Sequence, residues 1–480
     1  MTDTHLAFSI SRNSLLDGIL IPKFYDPEIA ISLRVAEKHF EVMLLSDILL
    51  PGDEGSRLGD WIPRENYGTG DVPYVRTSDL YNWRIRADYK KGVSEEVYET
   101  VAHRQDVKPS DILFVAHGTY LVGSVGMVTI NETKIVLQDH VFRLRVDPAS
   151  GVHPYLLLAA LSTSFVRRQV RSRQFSADII DKIGERHLGL RVPLPREKTA
   201  QMSIVKRVEA VLSEQSETRE AIKEASQSDL RMTRERAEAR HGFTVVRSKL
   251  KKRILIPKYY DPAVEAELKD AQRESSTEWL SIGSMVDRGL LSVETGVEVG
   301  KMAYGTGTIP FIRTSDIADW EVKTVRHGVS EEIYREYEHA ASLKSGDILL
   351  VRDGTYLVGS SALVTEDDLP ALICGGVYRI RAIGTDISPF ALLAYLNMPI
   401  VRKQMRARQF TRDVIDTLGY RLLEVKIPSL VTREAERLAA MVGDVMARKA
   451  EVKRNIGSII KSLEPPIPNV SKGRPGWSMR

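Results

Sequence analysis

The sequence is poor in cysteine, with Cys374 alone, and in aromatic residues, which make up 7% of its 480 residues. One cysteine excludes an internal disulfide and a cysteine-rich zinc site, so Cys374 is expected to be a small buried apolar residue. No run reaches the roughly 18 apolar residues of a membrane-spanning helix, and the first residues lack the basic and apolar regions of a secretion signal. These absences predict a cytoplasmic protein.

A large excess of charge is also missing. The net charge of +4 at pH 7 is too small to indicate a nucleic-acid partner by itself. The positive charge is concentrated, however, because residues 160–191 and 396–426 each hold seven Lys and Arg against three Asp and Glu. Two separate basic patches are therefore expected, in a chain long enough for roughly two to four domains.

The chain repeats itself at a spacing of 235 to 237 residues. ILIPKFYDP from Ile19 returns as ILIPKYYDP from Ile254, and the segments that begin at Asp111 and Asp347 are identical at 13 of 19 positions. Such a series indicates two copies of one domain. We predict, in order, a first domain over 1–195, a long helix over 196–241, a second domain over 242–430, a long helix over 431–463 and a flexible tail over 464–480.

Each copy mixes two kinds of pattern. Short runs such as DILFV and VYRIRA are rich in β-branched and aromatic residues and predict strands, whereas PYLLLAALSTSFVRRQVRSRQF has the apolar spacing of helices. The repeated domain is therefore predicted to be α+β.

Apolar residues in 196–241 and 431–463 follow the 4-3 spacing of coiled coils. Helices over these segments would be roughly 65 and 50 Å long at about 1.5 Å per residue. We expect them to pair as an intramolecular antiparallel coiled coil. The alternative is two separate amphipathic helices, each packed on its own domain.

This order of domain, long helix, domain and long helix resembles the specificity subunit of Type I restriction-modification systems. The resemblance covers nearly the whole chain and includes DIL segments followed by glycine loops, at 111–123 and 347–359. The close of the first copy, VPLPREKTAQMSIVKRVE, is similar to the family's junction into its helix. The second copy keeps Pro428 but lacks the second proline and the glutamine of that junction.

The resemblance implies a pseudo-twofold subunit that needs no cofactor and does no chemistry, and whose two target-recognition domains each read half of a gapped double-stranded DNA site in phage defence. It further implies that two methyltransferase subunits dock on the helices and that an ATP-driven translocase-nuclease joins them. A helix of roughly 50 Å spans about fifteen base pairs, so half-site centres roughly ten to fifteen base pairs apart are expected. Because the copies are similar, the target is expected to be partly palindromic.

Candidate DNA contacts fall into three groups. Phosphate contacts are predicted on the basic helices, for which a solvated face or a docking surface is the alternative: Arg167, Arg168, Arg171, Arg173, Arg402, Lys403, Arg406 and Arg408. Base contacts are predicted at the glycine loops, where Ala116 and His117 become Arg352 and Asp353: His117, Thr119, Tyr120, Arg352, Thr355 and Tyr356. Arg76 and Arg313 are also candidates, with ion pairs to Asp79 and Asp316 as the alternative.

Catalytic motifs are weak in this sequence. YGTG, at Tyr67 and Tyr304, is too short for a cofactor loop. Asp416, Glu424 and Lys426 have the superficial spacing of a nuclease site, but the first copy has Gly189 and Arg191 at the last two positions.

A second set of residues suggests a general base but is not repeated. Gln138, Asp139 and His140 correspond to Cys374 and two glycines, a difference that fits either two different half-sites or neutral drift. Three interpretations compete with the main one: a specificity subunit of another modification or phage-defence assembly, a scaffold that binds proteins, and an enzyme with an unrecognised site, which is least favoured because no candidate set of catalytic residues recurs in both copies.

Overall fold

A computed structural model of the chain describes residues 15, 19–86, 92–118, 121–177, 180–227, 242–251, 254–275, 277–325, 328–354, 357–412 and 415–466. The chain divides into two compact units. Unit 1 comprises 1–85, 91–212 and 454–474, and unit 2 comprises 86–90, 213–453 and 475–480. Both units mix helices with strands, as the sequence predicts.

The strands of unit 1 are short. They are β1 Glu41–Leu44, β2 Ser56–Leu58, β3 Val72–Val75, β4 Leu80–Tyr81, β5 Arg84–Ile85, β6 Gly92–Val93, β7 Ile112–Val115, β8 Val125–Met127, β9 Val136–Leu137, β10 Val141–Leu144, β11 Phe175–Ala177, β12 Ile180–Lys182 and β13 Arg191–Leu194. An antiparallel sheet has the order β2-β10-β7-β8, and a second sheet has the order β6-β3-β9. The pairs β1-β13, β4-β5 and β11-β12 form two-stranded ribbons. All four residues of β7 are buried, which places the core against the larger sheet.

Four of the six helices that lie within unit 1 begin directly after a residue whose side chain accepts a hydrogen bond from the first turn. The six helices are α1 Pro27–His39, α2 Leu45–Ile48, α3 Gly52–Gly55, α4 Glu95–Gln105, α5 Pro154–Leu161 and α6 Ser164–Arg173. Asp26 accepts a hydrogen bond from the Glu28 N–H at 2.9 Å, and Pro27 occupies the first helical position. The repeated DP sequence is therefore a helix start.

Seven helices lie within or partly within unit 2 among its described residues, together with thirteen strands; the last helix is described below. The first long helix, α7, spans Lys198–Gln227 and belongs to both units; the others are α8 Pro262–Glu274, α9 Ile282–Asp287, α10 Glu331–Ala341, α11 Pro389–Asn397 and α12 Pro399–Arg408. The strands are β14 Trp279–Ser281, β15 Leu291–Thr295, β16 Ile309–Ile312, β17 Ile317–Ala318, β18 Glu321–Val322, β19 Gly328–Val329, β20 Ile348–Val351, β21 Ser361–Leu363, β22 Leu372–Ile373, β23 Val377–Ala382, β24 Phe410–Arg412, β25 Ile415–Thr417 and β26 Lys426–Pro428.

The sheets of unit 2 repeat those of unit 1. Their orders are β15-β23-β20-β21 and β19-β16-β22, with the ribbons β14-β26, β17-β18 and β24-β25. The cap is repeated as well, because Asp261 accepts from the Ala263 N–H at 3.0 Å ahead of α8. The likeness of the two sequence copies thus extends to the strand pairing within each unit.

The second long helix, α13, spans Arg433–Ser462 and, like α7, belongs to both units. The predicted 4-3 positions of the two segments are buried, except Ile222, which is partly buried. The buried ones are Ile204, Val208, Val211, Gln215, Thr218 and Ala225, then Leu438, Val442, Val445, Lys449, Val452, Ile456, Ile459 and Leu463. Within unit 1, Arg207 donates to Ser458 Oγ at 3.0 Å. Within unit 2, Arg448 pairs with Glu214 and, at 2.7 Å, with Glu217. None of the helices in the described ranges is long and apolar enough to cross a membrane.

Candidate nucleic-acid interface

In unit 1 the glycine loop lies against the β11-β12 hairpin. The Gly118 N–H donates to the Asp181 carbonyl oxygen at 3.0 Å, and the Ile183 N–H donates to the Ala116 carbonyl oxygen at 3.1 Å. His117 forms an antiparallel bridge with Lys182. The end of β7 is thereby tied to a hairpin that directly follows the basic helix α6.

Unit 2 repeats this backbone arrangement with other side chains. The Gly354 N–H donates to the Asp416 carbonyl oxygen at 2.9 Å, and the Leu418 N–H donates to the Arg352 carbonyl oxygen at 3.1 Å. Asp353 bridges Thr417 as His117 bridges Lys182. One scaffold therefore presents a different loop residue in each unit.

In each unit an arginine that follows the hairpin connects the hairpin to the end of the basic helix. In unit 1, Arg186 Nε donates to the Arg173 carbonyl oxygen at 2.8 Å, and its guanidinium lies 4.2 Å from the Phe175 ring centroid. In unit 2, Arg421 donates to the Arg408 carbonyl oxygen at 2.7 Å and lies 3.8 Å from the ring centroid of the repeat's phenylalanine, Phe410. Neither arginine was among the predicted DNA contacts, although both occur at the same place in the two sequence copies, which could have identified them.

The loop residue of unit 1 is part of a histidine pair. The ring centroids of His117 and His140 are 4.6 Å apart, and a carboxylate oxygen of Asp139 lies 3.8 Å from His140 Nε2. Burial, followed by the charges of His140 and Lys182, lowers the pKa of His117 to about 4. His117 is therefore a neutral imidazole at neutral pH, with one ring N–H and one acceptor nitrogen. Its Nδ1 is buried without a hydrogen-bond partner among the described residues.

The loop of unit 2 carries an ion pair. Arg352 Nε and Nη2 lie 2.8 and 2.7 Å from Asp353 Oδ2, which raises the pKa of Arg352. Its guanidinium lies 6.0 Å from the Tyr378 ring centroid. Gly376, the counterpart of His140, accepts the Arg352 N–H at 2.9 Å. The histidine pair of unit 1 is thus replaced by a fixed guanidinium beside a glycine.

The basic helix of unit 1 exposes part of its charge. Arg167 and Arg168 are exposed, whereas Arg171 and Arg173 are partly buried. The guanidinium of Arg173 lies 5.7 Å from the Phe24 ring centroid. Burial lowers the pKa of Arg167, whose guanidinium is therefore largely withdrawn from solvent. Arg168 is the side chain on this helix that is most accessible to a phosphate.

On α12 of unit 2, packing engages more of the cations. Lys403 pairs with Glu267, and Arg408 lies 3.5 Å from Glu424. Arg402 is partly buried and packs against Gly359. A side chain at residue 359 would crowd it, because a Cβ there would lie 3.3 Å from Arg402 Nη1. Arg406 is exposed.

The two arginines of the shared strand motif are held by local structure. Arg76 Nε lies 3.2 Å from Asp79, and the Arg313 N–H donates to Asp316 at 2.8 Å. Burial raises the pKa of Asp316. The Arg313 guanidinium lies 5.5 Å from the Tyr304 ring centroid. Arg76 therefore makes the ion pair with Asp79 that was the alternative to a DNA contact. Arg313 is hydrogen-bonded to Asp316 through its backbone N–H.

Four predicted base readers lie outside the described residues: Thr119, Tyr120, Thr355 and Tyr356.

The carboxylates with nuclease-like spacing make structural contacts. Gln409 donates to Asp416 at 3.1 Å, and Glu424 accepts from Lys251 at 2.8 Å and from Tyr259 at 2.5 Å. Across the described ranges, no group of three or more His, Cys, Asp or Glu side chains is arranged to hold a metal ion.

Solved structures similar to this chain come from Type I restriction-modification systems. A crystal structure of the S subunit of the M. genitalium system is 14% identical over 89% of this chain and 96% of that chain, with a TM-score of 0.32. The HsdS subunit from Thermoanaerobacter tengcongensis is 15% identical over 91% and 97%, with a TM-score of 0.26. A third chain, from a study of complex assembly and conformational transition of the type I R-M system, is 16% identical over 88% and 97%, with a TM-score of 0.27.

No protein-family model and no curated protein sequence matches the chain.

Proposed function

We propose that this chain is a sequence-specific DNA-recognition subunit that reads a two-part, gapped site, one half with each unit. The observation that carries the proposal is the glycine loop tied to a hairpin beside a basic helix, built twice with the same hydrogen bonds and with different loop side chains. Contacts to phosphate position a protein on DNA, whereas contacts to base edges specify the sequence. A shared scaffold with different loop residues fits that division of labour.

Two tandem target-recognition domains, with the sequence-based boundaries 1–195 and 242–430, complete this architecture. The long helices would pair as an antiparallel coiled coil that sets the gap between half-sites. Three contacts support this pairing, since residue numbers fall along α13 as they rise along α7: Arg207 with Ser458, and Glu214 and Glu217 with Arg448.

The subunit itself would be non-catalytic and cytoplasmic. It would direct partner methyltransferase subunits, two by symmetry, and ATP-dependent translocase-nuclease subunits to the site that it binds. A protein-binding scaffold is the competing function, and the two differ in their response to salt, because DNA binding weakens steeply as salt rises.

The proposal is tested by co-expressing the chain with the methyltransferase encoded beside it and mapping modified bases across the host genome. A gapped two-part motif that disappears when the chain is deleted is the expected result. Methylation that persists unchanged without the chain would rule out the specificity function and favour the scaffold.

A further inference from the structure

The base-reading loops differ most at one pair of adjacent residues. Unit 1 has Ala116 and His117 where unit 2 has Arg352 and Asp353, at equivalent places between a buried strand and the glycine loop. Since the backbone hydrogen bonds that tie these loops to the hairpin are the same, the main difference lies in the side chains that the scaffold presents.

Arg352 is held in one orientation. Two of its nitrogens, Nε and Nη2, contact the same carboxylate oxygen, Asp353 Oδ2. Asp353 is itself fixed, because its backbone N–H donates to the Gly376 carbonyl oxygen at 3.2 Å and it bridges Thr417. A guanidinium fixed along one edge keeps its remaining Nη1 and Nη2 hydrogens as a paired donor edge. Its side chain is 31% exposed, so a ligand can reach it.

The space around the pair depends on a glycine. A Cβ at residue 376 would lie 3.0 Å from Thr314 Cγ2 and 3.7 Å from Asp353 Cβ. In unit 1 the equivalent residue is His140, which stands beside His117 where no arginine is present. Each unit therefore has a matched set, Arg352-Asp353-Gly376 in one and Ala116-His117-His140 in the other.

The two sets offer different hydrogen bonds to a base edge. A paired donor edge matches the O6 and N7 acceptors of guanine in the major groove, whereas a neutral imidazole offers one donor and one acceptor. Given the proposed function, on which this step rests, we propose that Arg352, oriented by Asp353, reads a guanine in the half-site of unit 2. The histidine pair of unit 1 makes no such paired contact, so the half-sites differ at this base pair, and the palindrome expected from the similarity of the copies is broken there.

The test is a selection from a random double-stranded DNA library with the full chain, co-purified with its methyltransferase. The wild-type complex should enrich a gapped motif with a guanine in one half-site. Arg352→Ala should reduce the preference for that guanine on the order of ten- to a hundredfold and leave the other half-site unchanged. Arg352→Lys keeps the charge but loses the fork and should show most of the same loss. Asp353→Asn should reduce discrimination at the same base pair alone, as a positioning residue does.

The matched control is Arg335→Ala, which removes an exposed arginine of unit 2 that pairs along its own helix with Glu331. It should leave every base frequency unchanged. The unaltered half-site also reports, within each selection, that a variant is folded. If Arg352→Ala leaves all base frequencies as in the wild type, or alters several positions in both half-sites, the assignment of Arg352 is overturned while the specificity function stands. If the wild-type complex enriches no motif, the proposed function itself fails.

A gain-of-function variant keeps the assignment falsifiable should Arg352 variants fold poorly. The triple change Ala116→Arg, His117→Asp and His140→Gly places the unit 2 set on the unit 1 scaffold. A new guanine preference at the corresponding position of the other half-site is expected. An unchanged preference in a folded, DNA-binding variant would count against the assignment.

Discussion

The side-chain amide of Gln169 forms two hydrogen bonds with the backbone of Arg191, in the way that one strand pairs with its neighbour in a sheet. The amide of Gln169 donates to the Arg191 carbonyl oxygen at 2.9 Å and accepts the Arg191 N–H at 2.8 Å. Gln404 makes the same pair with Lys426 in unit 2, at 2.9 Å in both directions. One buried glutamine in each unit thus fixes the basic helix to the first residue of a strand, β13 in unit 1 and β26 in unit 2.

Replacing this glutamine should destabilise the protein without touching its charge. Gln169→Leu leaves a buried backbone N–H and C=O without partners, and each such group costs about 1–3 kcal/mol. We expect the midpoint of thermal unfolding to fall well below that of the wild type. Arg168→Ala, on the exposed face of the same helix, is the control and should unfold near the wild-type temperature. Equal midpoints for the two variants would contradict a structural role of the amide.

The histidine pair makes stability depend on pH. The pKa of His117 is about 4 in the folded protein, below its ordinary value of about 6.5, because of burial and the neighbouring His140 and Lys182. The unfolded chain therefore binds a proton at residue 117 before the folded protein does, and stability falls as pH drops from about 6.5 towards about 4. Between pH 7 and pH 5 the loss should be about 1 kcal/mol, after discounting for the partial exposure of the ring.

Urea unfolding of the wild type and of His117→Gln at both pH values measures this contribution. The wild type should lose more free energy of unfolding than the variant on going to pH 5, because other buried histidines such as His187 are common to both proteins. Parallel losses would show that His117 is not the titrating group.

The exposed cations of the basic helices should set the salt dependence of DNA binding. Arg406→Ala should weaken binding to specific and mixed-sequence duplexes alike, and should reduce the slope of log K against log salt by about 0.9 for one lost phosphate contact. Lys403→Ala, whose ammonium is already paired with Glu267, should reduce the slope less. The reverse order would mean that the exposed face of α12 is not the face that meets phosphate.

Glu464 caps the helix that carries the basic residues of unit 1. Its carboxylate accepts the Ser164 N–H at 2.8 Å and the Phe165 N–H at 2.9 Å, and also contacts the Ser164 hydroxyl. Glu464→Gln removes a negative charge from a helix N-terminus and should lower the free energy of unfolding by about 1 kcal/mol. Glu451→Gln, an exposed change on α13, is the matched control and should have little effect. A cap of no consequence would leave the two variants equally stable.

The spacing of apolar residues in the sequence was sufficient to predict most helices and strands, but not which distant residues they contact. The 4-3 spacing predicts a buried stripe along each long helix, and Val208 and Val442 on these stripes are buried. Lys449 interrupts the apolar series of the second helix. Lys449 is nevertheless 3% exposed with its ammonium 3.6 Å from Glu321, a residue more than a hundred positions away that no helical pattern can identify. The segment predicted as a flexible tail begins with Glu464, whose contact with α6 is equally remote in sequence.

For the candidate site, too, the sequence identified individual residues but not the contacts between them. Comparing the copies singled out His117 and His140 separately, because each differs from its counterpart. Only the antiparallel pairing of β7 with β10 brings the two rings together. For Asp416 the sequence pattern was misleading. Its spacing from Glu424 suggested a metal site, but in the structure its carboxylate accepts hydrogen bonds from Gln409 and Thr411.

The glycine at 376 has a consequence for how such a protein changes its target over evolutionary time. The Cβ of a histidine introduced there alone would crowd Thr314 Cγ2 at 3.0 Å. An arginine introduced alone at Ala116 would enter a fully buried position whose neighbour is an imidazole rather than a carboxylate. Single steps between the two sets are therefore penalised before they confer a new preference. Under the proposed function, exchange of a whole unit between related genes would carry all members of a set together, so recombination would change the DNA sequence that is read more readily than stepwise mutation.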